Sequence, residues 1–243
     1  MSYTENSYEM SIIELFQQLG YQHVYGPDVV RDYTSPLYED ILKSQLKRLN
    51  PFTSEKILEG AFNKIKYFDN GDLVQRNEAF TNYLQNGIEV PFVENGESRT
   101  ELVRIVDYSD LGNNSFIIAN QWTFIENSEK RPDLIVFLNG IPVVLMELKS
   151  PSREETEVSE AYRQLRNYMQ EIPSMFIYNA FCVMSDQLTS KAGTITAGED
   201  RYMEWKTTDG SYENTKAAQF DTDRKSTRLN SSHTQKSRMP SSA

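Results

Sequence analysis

Three charged residues, Asp133, Glu147 and Lys149, end two otherwise apolar segments in the middle of the sequence. Residues two apart in a strand point to the same face, so Glu147 and Lys149 share a side if this segment is a strand. A hard cation such as Mg²⁺ takes oxygen ligands and commonly uses one or two protein carboxylates, which Asp133 and Glu147 can supply. Lys149 adds a positive charge for a reacting phosphate. These residue types suit metal-dependent phosphodiester hydrolysis.

The pairing of the two segments decides whether these residues can meet. A hairpin around Asn139-Gly140 returns Asp133 to the end of the sheet where Glu147 lies. A strict two-residue turn, however, places Asp133 opposite Met146 and on the other face from Glu147. A shared metal therefore requires a three-residue turn centred on the glycine or a β-bulge, and we predict such an irregularity. Pro142, just after the turn, favours irregular pairing.

Glu-x-Lys alone is a weak signal, because by composition it arises about once in a chain or two of this length. Its ordinary interpretation is a solvated strand edge. Exposure alone would spread charges along one face of a strand, whereas here they stand at the ends of two apolar strands. This setting makes a metal site a real alternative to a solvated strand edge, and from the residues alone both interpretations stay open.

The composition excludes other kinds of chemistry. Cys182 is the only cysteine, and His23 and His233 are the only histidines. Zinc sites and Ser-His-Asp triads need more of these residues, so carboxylates and lysine must carry any catalysis. There is no run of eighteen apolar residues and no secretory signal pattern at the N-terminus. We therefore expect a protein that makes no membrane contact and is located in the cytoplasm, where a single thiol stays reduced.

The last residues, 223–243, differ from the rest of the chain. They are basic and Ser-rich and have no apolar period, which predicts disorder. They resemble a sequencing-library adapter translated in frame, so we interpret them as an artefact; the alternative is a basic arm that binds nucleic acid.

Residues 223–243 contain five of the 25 basic residues and one of the 35 acidic residues, which leaves residues 1–222 with a net charge of −14. A DNA-binding protein with that charge needs a local basic face, further domains or partner subunits.

Hydrophobic periodicity predicts one α/β domain with a helical lead-in. The predicted helices are an amphipathic helix that ends at Gly20, one from Ser35-Pro36 to Leu49, one over 54–68, one over 73–84, and one over 153–170 with a capping box at Ser152 and Glu155. The predicted strands are a hairpin around 94–97, a single strand over 114–125, the central hairpin, and strands over 175–178 and 181–185.

The segment RPDLIVFLNGIPVVLMELK, residues 131–149, strongly resembles the nuclease signature of the restriction subunit of type I restriction-modification enzymes, which are PD-(D/E)xK nucleases. Pro132-Asp133 and Glu147-Leu148-Lys149 match that motif as written. The family also carries Gln-x-x-x-Tyr on the next helix, and Gln164 and Tyr168 match it on one helical face. Without the resemblance, this pair would be interpreted as an ordinary half-buried Gln and Tyr.

The resemblance implies a restriction-endonuclease-like fold, a mixed β-sheet flanked by helices with a helical N-terminal lead-in. Residues 1–86 would form the helical part of the nuclease domain, 87–206 the nuclease core, and 207–222 the start of a linker to motor domains. Asp133, Glu147 and Lys149 would be catalytic, with Mg²⁺ on the two carboxylates and Gln164 and Tyr168 in support. An upstream helical acid often completes such sites, and Glu14 and Glu39 are the candidates.

The resemblance also implies partners. DNA would be the substrate, and methyltransferase and specificity subunits would complete the complex. Family members use ATP to translocate DNA, but this chain has no Gly-x-x-x-x-Gly-Lys-Ser/Thr phosphate loop, so we interpret it as a truncated restriction subunit with weak or no cleavage alone. Two alternatives remain open: a PD-(D/E)xK nuclease that acts alone, and a nuclease-like fold that only docks or binds DNA.

Overall fold

The structure, a computed structural model, describes residues 5–69, 71–149, 157–186 and 189–204. The α-helices of this part, in chain order, are α1 (Glu5–Gln18), α2 (Glu39–Leu49), α3 (Glu55–Lys66), α4 (Leu73–Asn86), α5 (Glu157–Glu171) and α6 (Pro173–Phe176). The strands are β1 (Gln22–Tyr25), β2 (Ile88–Glu94), β3 (Glu97–Val103), β4 (Phe116–Asn120), β5 (Phe124–Ile125), β6 (Glu129–Lys130), β7 (Leu134–Leu138), β8 (Ile141–Leu148), β9 (Phe181–Ser185), β10 (Ser190–Gly193) and β11 (Met203–Glu204).

A mixed sheet organises the described part of the chain, with strand order β1-β4-β7-β8-β9-β10-β11. The pairs β1–β4 and β8–β9 are parallel, and the other neighbours are antiparallel. As a result, strands β4, β8 and β9 all end at the same end of the sheet, and strand β7 begins there. We call this the Glu147 end. The predicted α/β fold with a mixed sheet and an N-terminal helix is confirmed.

Each face of the sheet packs against its own helices. On one face, Ile118, Leu134 and Met146 join the buried residues of α1 to α4. On the opposite face, Leu145 and Met184 pack against α5 and α6. Because side chains alternate between faces along a strand, Glu147 and Lys149 follow Leu145 toward the α5 face. No helix among the described residues has the length and apolar character needed to cross a membrane.

The central hairpin contains the predicted irregularity. The turn is the tight two-residue form, since Leu138 pairs with Ile141, but the register shifts between Val136 and Phe137. After this bulge Leu134 lies opposite Met146. Extending the same register by one residue brings Asp133 level with Glu147, which a strict two-residue hairpin would not allow. The bulge, not a longer turn, therefore produces the alignment.

Some sequence predictions were wrong. The strand predicted over 114–125 breaks after Asn120, because Gln121 adopts a positive φ of 52°, and only a two-residue strand follows. Residues 175–178 were predicted as a strand, but Pro173 starts the short helix α6 there. The helix expected from Ser35-Pro36 begins at Glu39. The capping box at 152 and 155 lies outside the described residues.

A second difference concerns the N-terminal third, which was expected to be helical. Strand β1 follows α1 directly and pairs in parallel with β4, as in the pairing of His23 with Ile118. This short strand joins the lead-in to the main sheet. Its four residues do not alternate in burial, which explains why periodicity did not identify it.

The turn of the central hairpin requires glycine at residue 140. Gly140 has φ +83°, and a Cβ there would lie 2.6 Å from both Leu42 N and Tyr38 O. Gly96, in the turn between β2 and β3, has nearly the same φ, +85°, but nothing lies within 4 Å of its Cβ position. A left-handed conformation costs a non-glycine residue roughly 1–2 kcal/mol, so Gly96→Ala should lose about that much stability. Gly140→Ala should lose at least about 3 kcal/mol, since the backbone of α2 must also move.

Urea denaturation of the two variants and the unmodified chain measures this difference directly. Equal losses for Gly140→Ala and Gly96→Ala would show that the approach of α2 to the turn adds no constraint. The comparison is matched because both glycines follow an asparagine with positive φ, Asn139 at 53° and Asn95 at 52°.

Candidate active site

The predicted carboxylates meet at the Glu147 end of the sheet. Asp133 Oδ2 accepts a hydrogen bond of 2.7 Å from Leu148 N, which fixes the Asp133 carboxylate against the end of β8. Glu147 lies in β8 and its side chain is fully buried. Extending the bulged register by one residue brings Asp133 level with Glu147, so both side chains start from the α5 side of the sheet. Both carboxylates raise the pKa of the same hydroxyl, that of Tyr168 on α5.

Lys149 connects these carboxylates to helix α5. Its Nζ donates to Glu147 Oε1 at 2.7 Å and to Gln164 Oε1 at 2.9 Å. The Gln164 amide in turn donates from Nε2 to the Tyr168 hydroxyl at 2.7 Å. Gln164 and Tyr168 are four residues apart on α5, so a single helical face presents both groups to the sheet. Four of the five residues that the sequence identified thus form one hydrogen-bonded chain, and the fifth, Asp133, is bonded to the backbone beside Glu147.

Tyr168 stays protonated in this environment. Burial raises the pKa of its hydroxyl well above the usual range, and the negative charges of Glu147 and Asp133 raise it further. A protonated hydroxyl leaves its oxygen free to accept from Gln164 Nε2. The chain from Glu147 through Lys149 and Gln164 to Tyr168 restricts the orientation of these side chains.

The donor set suits a hard divalent cation. Asp133 and Glu147 both supply carboxylate oxygens, the ligand type that such a cation prefers. Among the residues that the structure describes, no group of three or more His, Cys, Asp or Glu side chains is arranged to hold a metal. Mg²⁺ is bound by one or two carboxylates with water and substrate phosphate as the remaining ligands, which these two groups match.

The structure does not bring Glu14 or Glu39 to this site. Glu14 is exposed on α1. Glu39 accepts hydrogen bonds from Ser35 and from Lys66, at 2.8 and 2.7 Å. Its helix begins beside the central turn, where the neighbouring Tyr38 N donates to Gly140 O, at the opposite end of the hairpin from Glu147.

An acid that the sequence reasoning missed, Glu9, does lie at the Glu147 end. It is 6% exposed, and its Oε1 accepts a 2.7 Å hydrogen bond from Asn120 Nδ2 at the end of β4. The Asn120 oxygen accepts from His23 Nε2 at 2.9 Å. Because Asn120 belongs to the face that packs against α1, Glu9 approaches the sheet from the side opposite Asp133. A polar residue at the end of an apolar strand, Asn120, was the available signal.

The preceding residue of α1 makes a second contact at this end of the sheet. The Tyr8 hydroxyl lies 2.7 Å from Ser185 Oγ, and Ser185 O accepts from Lys149 N at 2.8 Å. The first turns of α1 thus contact both β4 and β9, the strands on either side of the central hairpin. These contacts of α1 stabilise the strands that carry the candidate site.

The fold and the site define a class: an α/β protein with a carboxylate–lysine centre where a bulged hairpin ends. Comparison with known proteins gives the family. The chain matches the family described as the type I restriction enzyme R protein N terminus over residues 2–201, and it belongs to that family. The resemblance inferred from the central motif is confirmed.

Two individual relatives have names that agree with this family. The chain is 33% identical over 215 residues to the type I restriction enzyme HindI endonuclease subunit of Haemophilus influenzae, covering 84% of this chain and 20% of that protein. It is 33% identical over 208 residues to the putative type I restriction enzyme MjaIXP endonuclease subunit of Methanocaldococcus jannaschii, covering 82% and 20%. The chain therefore spans about a fifth of the length of these relatives.

Proposed function

We propose that this chain is a DNA endonuclease region that hydrolyses phosphodiester bonds with Mg²⁺, as part of a type I restriction enzyme's endonuclease subunit. The observation that carries the proposal is the convergence of Asp133, Glu147 and Lys149 on one side of the sheet, produced by the bulge in the central hairpin. The names of its relatives agree with an endonuclease function.

Each residue has a distinct part in the proposed reaction. Asp133 and Glu147 hold the metal, which when bound lowers the pKa of a water and offsets charge on the phosphate. Lys149 presents a fixed ammonium to the negative charge that develops on the reacting phosphate. Gln164 accepts from Lys149 and sets the direction of that ammonium. Tyr168 fixes Gln164 and so keeps the ammonium aligned.

The acidic character of the chain fits a role within a larger assembly. The 243 residues carry a net charge of −10, so they attract DNA poorly as a whole. We propose that methyltransferase and specificity subunits bring the DNA, and that ATP-driven translocation belongs to regions beyond this chain. Cleavage by the chain alone should accordingly be slow.

The proposal is tested with supercoiled plasmid DNA and the 243-residue chain at high protein concentration. We expect nicked and linear products with Mg²⁺, none with EDTA, and none with Glu147→Gln, which removes one proposed metal ligand. Glu59→Gln, at an exposed glutamate of α3, should cut like the unmodified chain and serves as the matched control. Products that persist in EDTA or in Glu147→Gln would contradict a metal-dependent reaction at this site.

A further inference from the structure

Two cations stand beside the candidate site without a protein partner among the described residues. Arg131 is exposed and is separated from Asp133 only by Pro132. Lys191 in β10 is half-buried and likewise forms no hydrogen bond or ion pair within the described ranges. Some other basic residues of the described part are paired, such as Lys130 with Glu171 at 2.8 Å. No described protein group therefore competes with a ligand for Arg131 or Lys191.

The register of the sheet places Lys191 in line with the site. Lys191 lies opposite Met184 in β9, and Met184 lies opposite Glu147 in β8. Directly opposite residues in neighbouring strands share a face, so Lys191 and Glu147 both start from the α5 face. Two strand spacings separate them, about 10 Å. Lys191 is thus on the β10 side of Glu147.

Arg131 lies on the other side of the site. It precedes β7, the strand on the opposite side of β8 from β9 and β10. The residue before a proline is held in an extended conformation, so the backbone of Arg131 continues away from Asp133 and does not fold back over it. Arg131 is then displaced from Asp133 along the direction of β7, and Lys191 is displaced from Glu147 across the sheet, so the acidic groups lie between the two cations.

We propose that Arg131 and Lys191 bind the DNA phosphates on either side of the phosphate that is cut, an inference that rests on the proposed nuclease function. DNA carries a negative charge about every 1.7 Å along its axis, so a duplex with one phosphate at the site offers others within reach of both cations. The carboxylates repel DNA, and the flanking cations offset that repulsion. They also fix the path of the strand across the Glu147 end of the sheet.

The test is the salt dependence of DNA binding, measured with a labelled duplex in EDTA so that no cleavage occurs. Each phosphate contact contributes about 0.9 to the slope of log Kd against log salt concentration. Arg131→Gln and Lys191→Gln should each lower the slope by about 0.9, and the double variant by about 1.8. Arg131→Lys and Lys191→Arg, which keep the charge, should preserve it. Lys56→Gln, at an exposed lysine of α3 that packs against the opposite face, is the matched control and should leave the slope unchanged.

The outcomes separate this inference from the nuclease proposal. Unchanged slopes in both Gln variants, with plasmid cleavage intact in the unmodified chain, would overturn the phosphate contacts alone. DNA binding that loses slope as expected, in a chain whose plasmid products persist in EDTA or in Glu147→Gln, would support the contacts and contradict the nuclease. A chain that neither binds nor cleaves DNA would overturn both.

Discussion

Replacing Asp133 with asparagine should weaken divalent metal binding by at least about 100-fold, because even partners outside the metal's ligand shell are worth 10–100-fold in affinity. The substitution is chosen for its geometry. The amide oxygen of the asparagine side chain can still accept the hydrogen bond from Leu148 N that Asp133 accepts, so the end of β8 is preserved. Only the negative charge is lost. Isothermal titration with Mn²⁺ measures the affinity without requiring cleavage.

Asp107→Asn provides the control for this experiment. Asp107 is a carboxylate held by its own loop, where it accepts from Ser109 N at 2.9 Å and Asp110 N at 3.0 Å. Through Asn114 this loop contacts Asn139 in the turn of the hairpin, the end opposite Glu147. Mn²⁺ binding should be unchanged in that variant. If Asp133→Asn bound Mn²⁺ as tightly as the unmodified chain, Asp133 would not be a ligand and the two-carboxylate site would be wrong.

The central hairpin was predictable from sequence because its signals are local. The Asn-Gly dipeptide specifies the turn, and the apolar runs on both sides specify the strands. The bulge followed from a functional requirement, that Asp133 be level with Glu147, and not from any propensity. Its position between Val136 and Phe137 could not be derived from local signals, although Pro142, the residue that favours irregular pairing, lies opposite Phe137.

The position of Glu9 at the Glu147 end of the sheet could not be predicted from local sequence patterns. It lies in the first turns of α1, a segment with a weak apolar stripe, and nothing near it in sequence indicates burial. Its partner Asn120 is 111 residues away and reaches it only because β1 and β4 pair beneath α1. Glu14, chosen from the same helix, lies on the exposed side. A sequence pattern can identify an acidic helix, but tertiary packing decides which acid faces the sheet.

The same limit applies to secondary structure. The strand over 114–125 had continuous β-prone composition, yet Gly26 packs so closely on Gln121 that a Cβ at Gly26 would lie 2.4 Å from Gln121 O. This contact between distant segments accompanies the break in the strand. Residues 175–178 likewise have β-branched and aromatic character, but the proline two residues earlier favours a helical turn. In both places a particular backbone constraint outweighs propensity.

Removing the ammonium of Lys149 should cause the largest loss of stability among the site variants. Glu147 has no exposed side-chain surface, and Lys149 is 15% exposed, with 2.7 Å between Nζ and Oε1. Breaking a buried ion pair by removing one partner costs about 3–5 kcal/mol, since the remaining charge is desolvated without compensation. Lys149→Met keeps the length of the side chain and should lower the free energy of unfolding by that amount in urea denaturation.

Two further variants distinguish a buried charge from simple loss of packing. The double variant Glu147→Gln/Lys149→Met removes both charges and should recover most of the loss, because a neutral pair leaves no isolated charge in the interior. Lys47→Met breaks an exposed pair with Glu55, whose side chains are 71% and 87% exposed, and should cost less than about 1 kcal/mol. If the double variant were as unstable as Lys149→Met, the lysine would contribute through packing, and its charge would not be what the Glu147 end of the sheet requires.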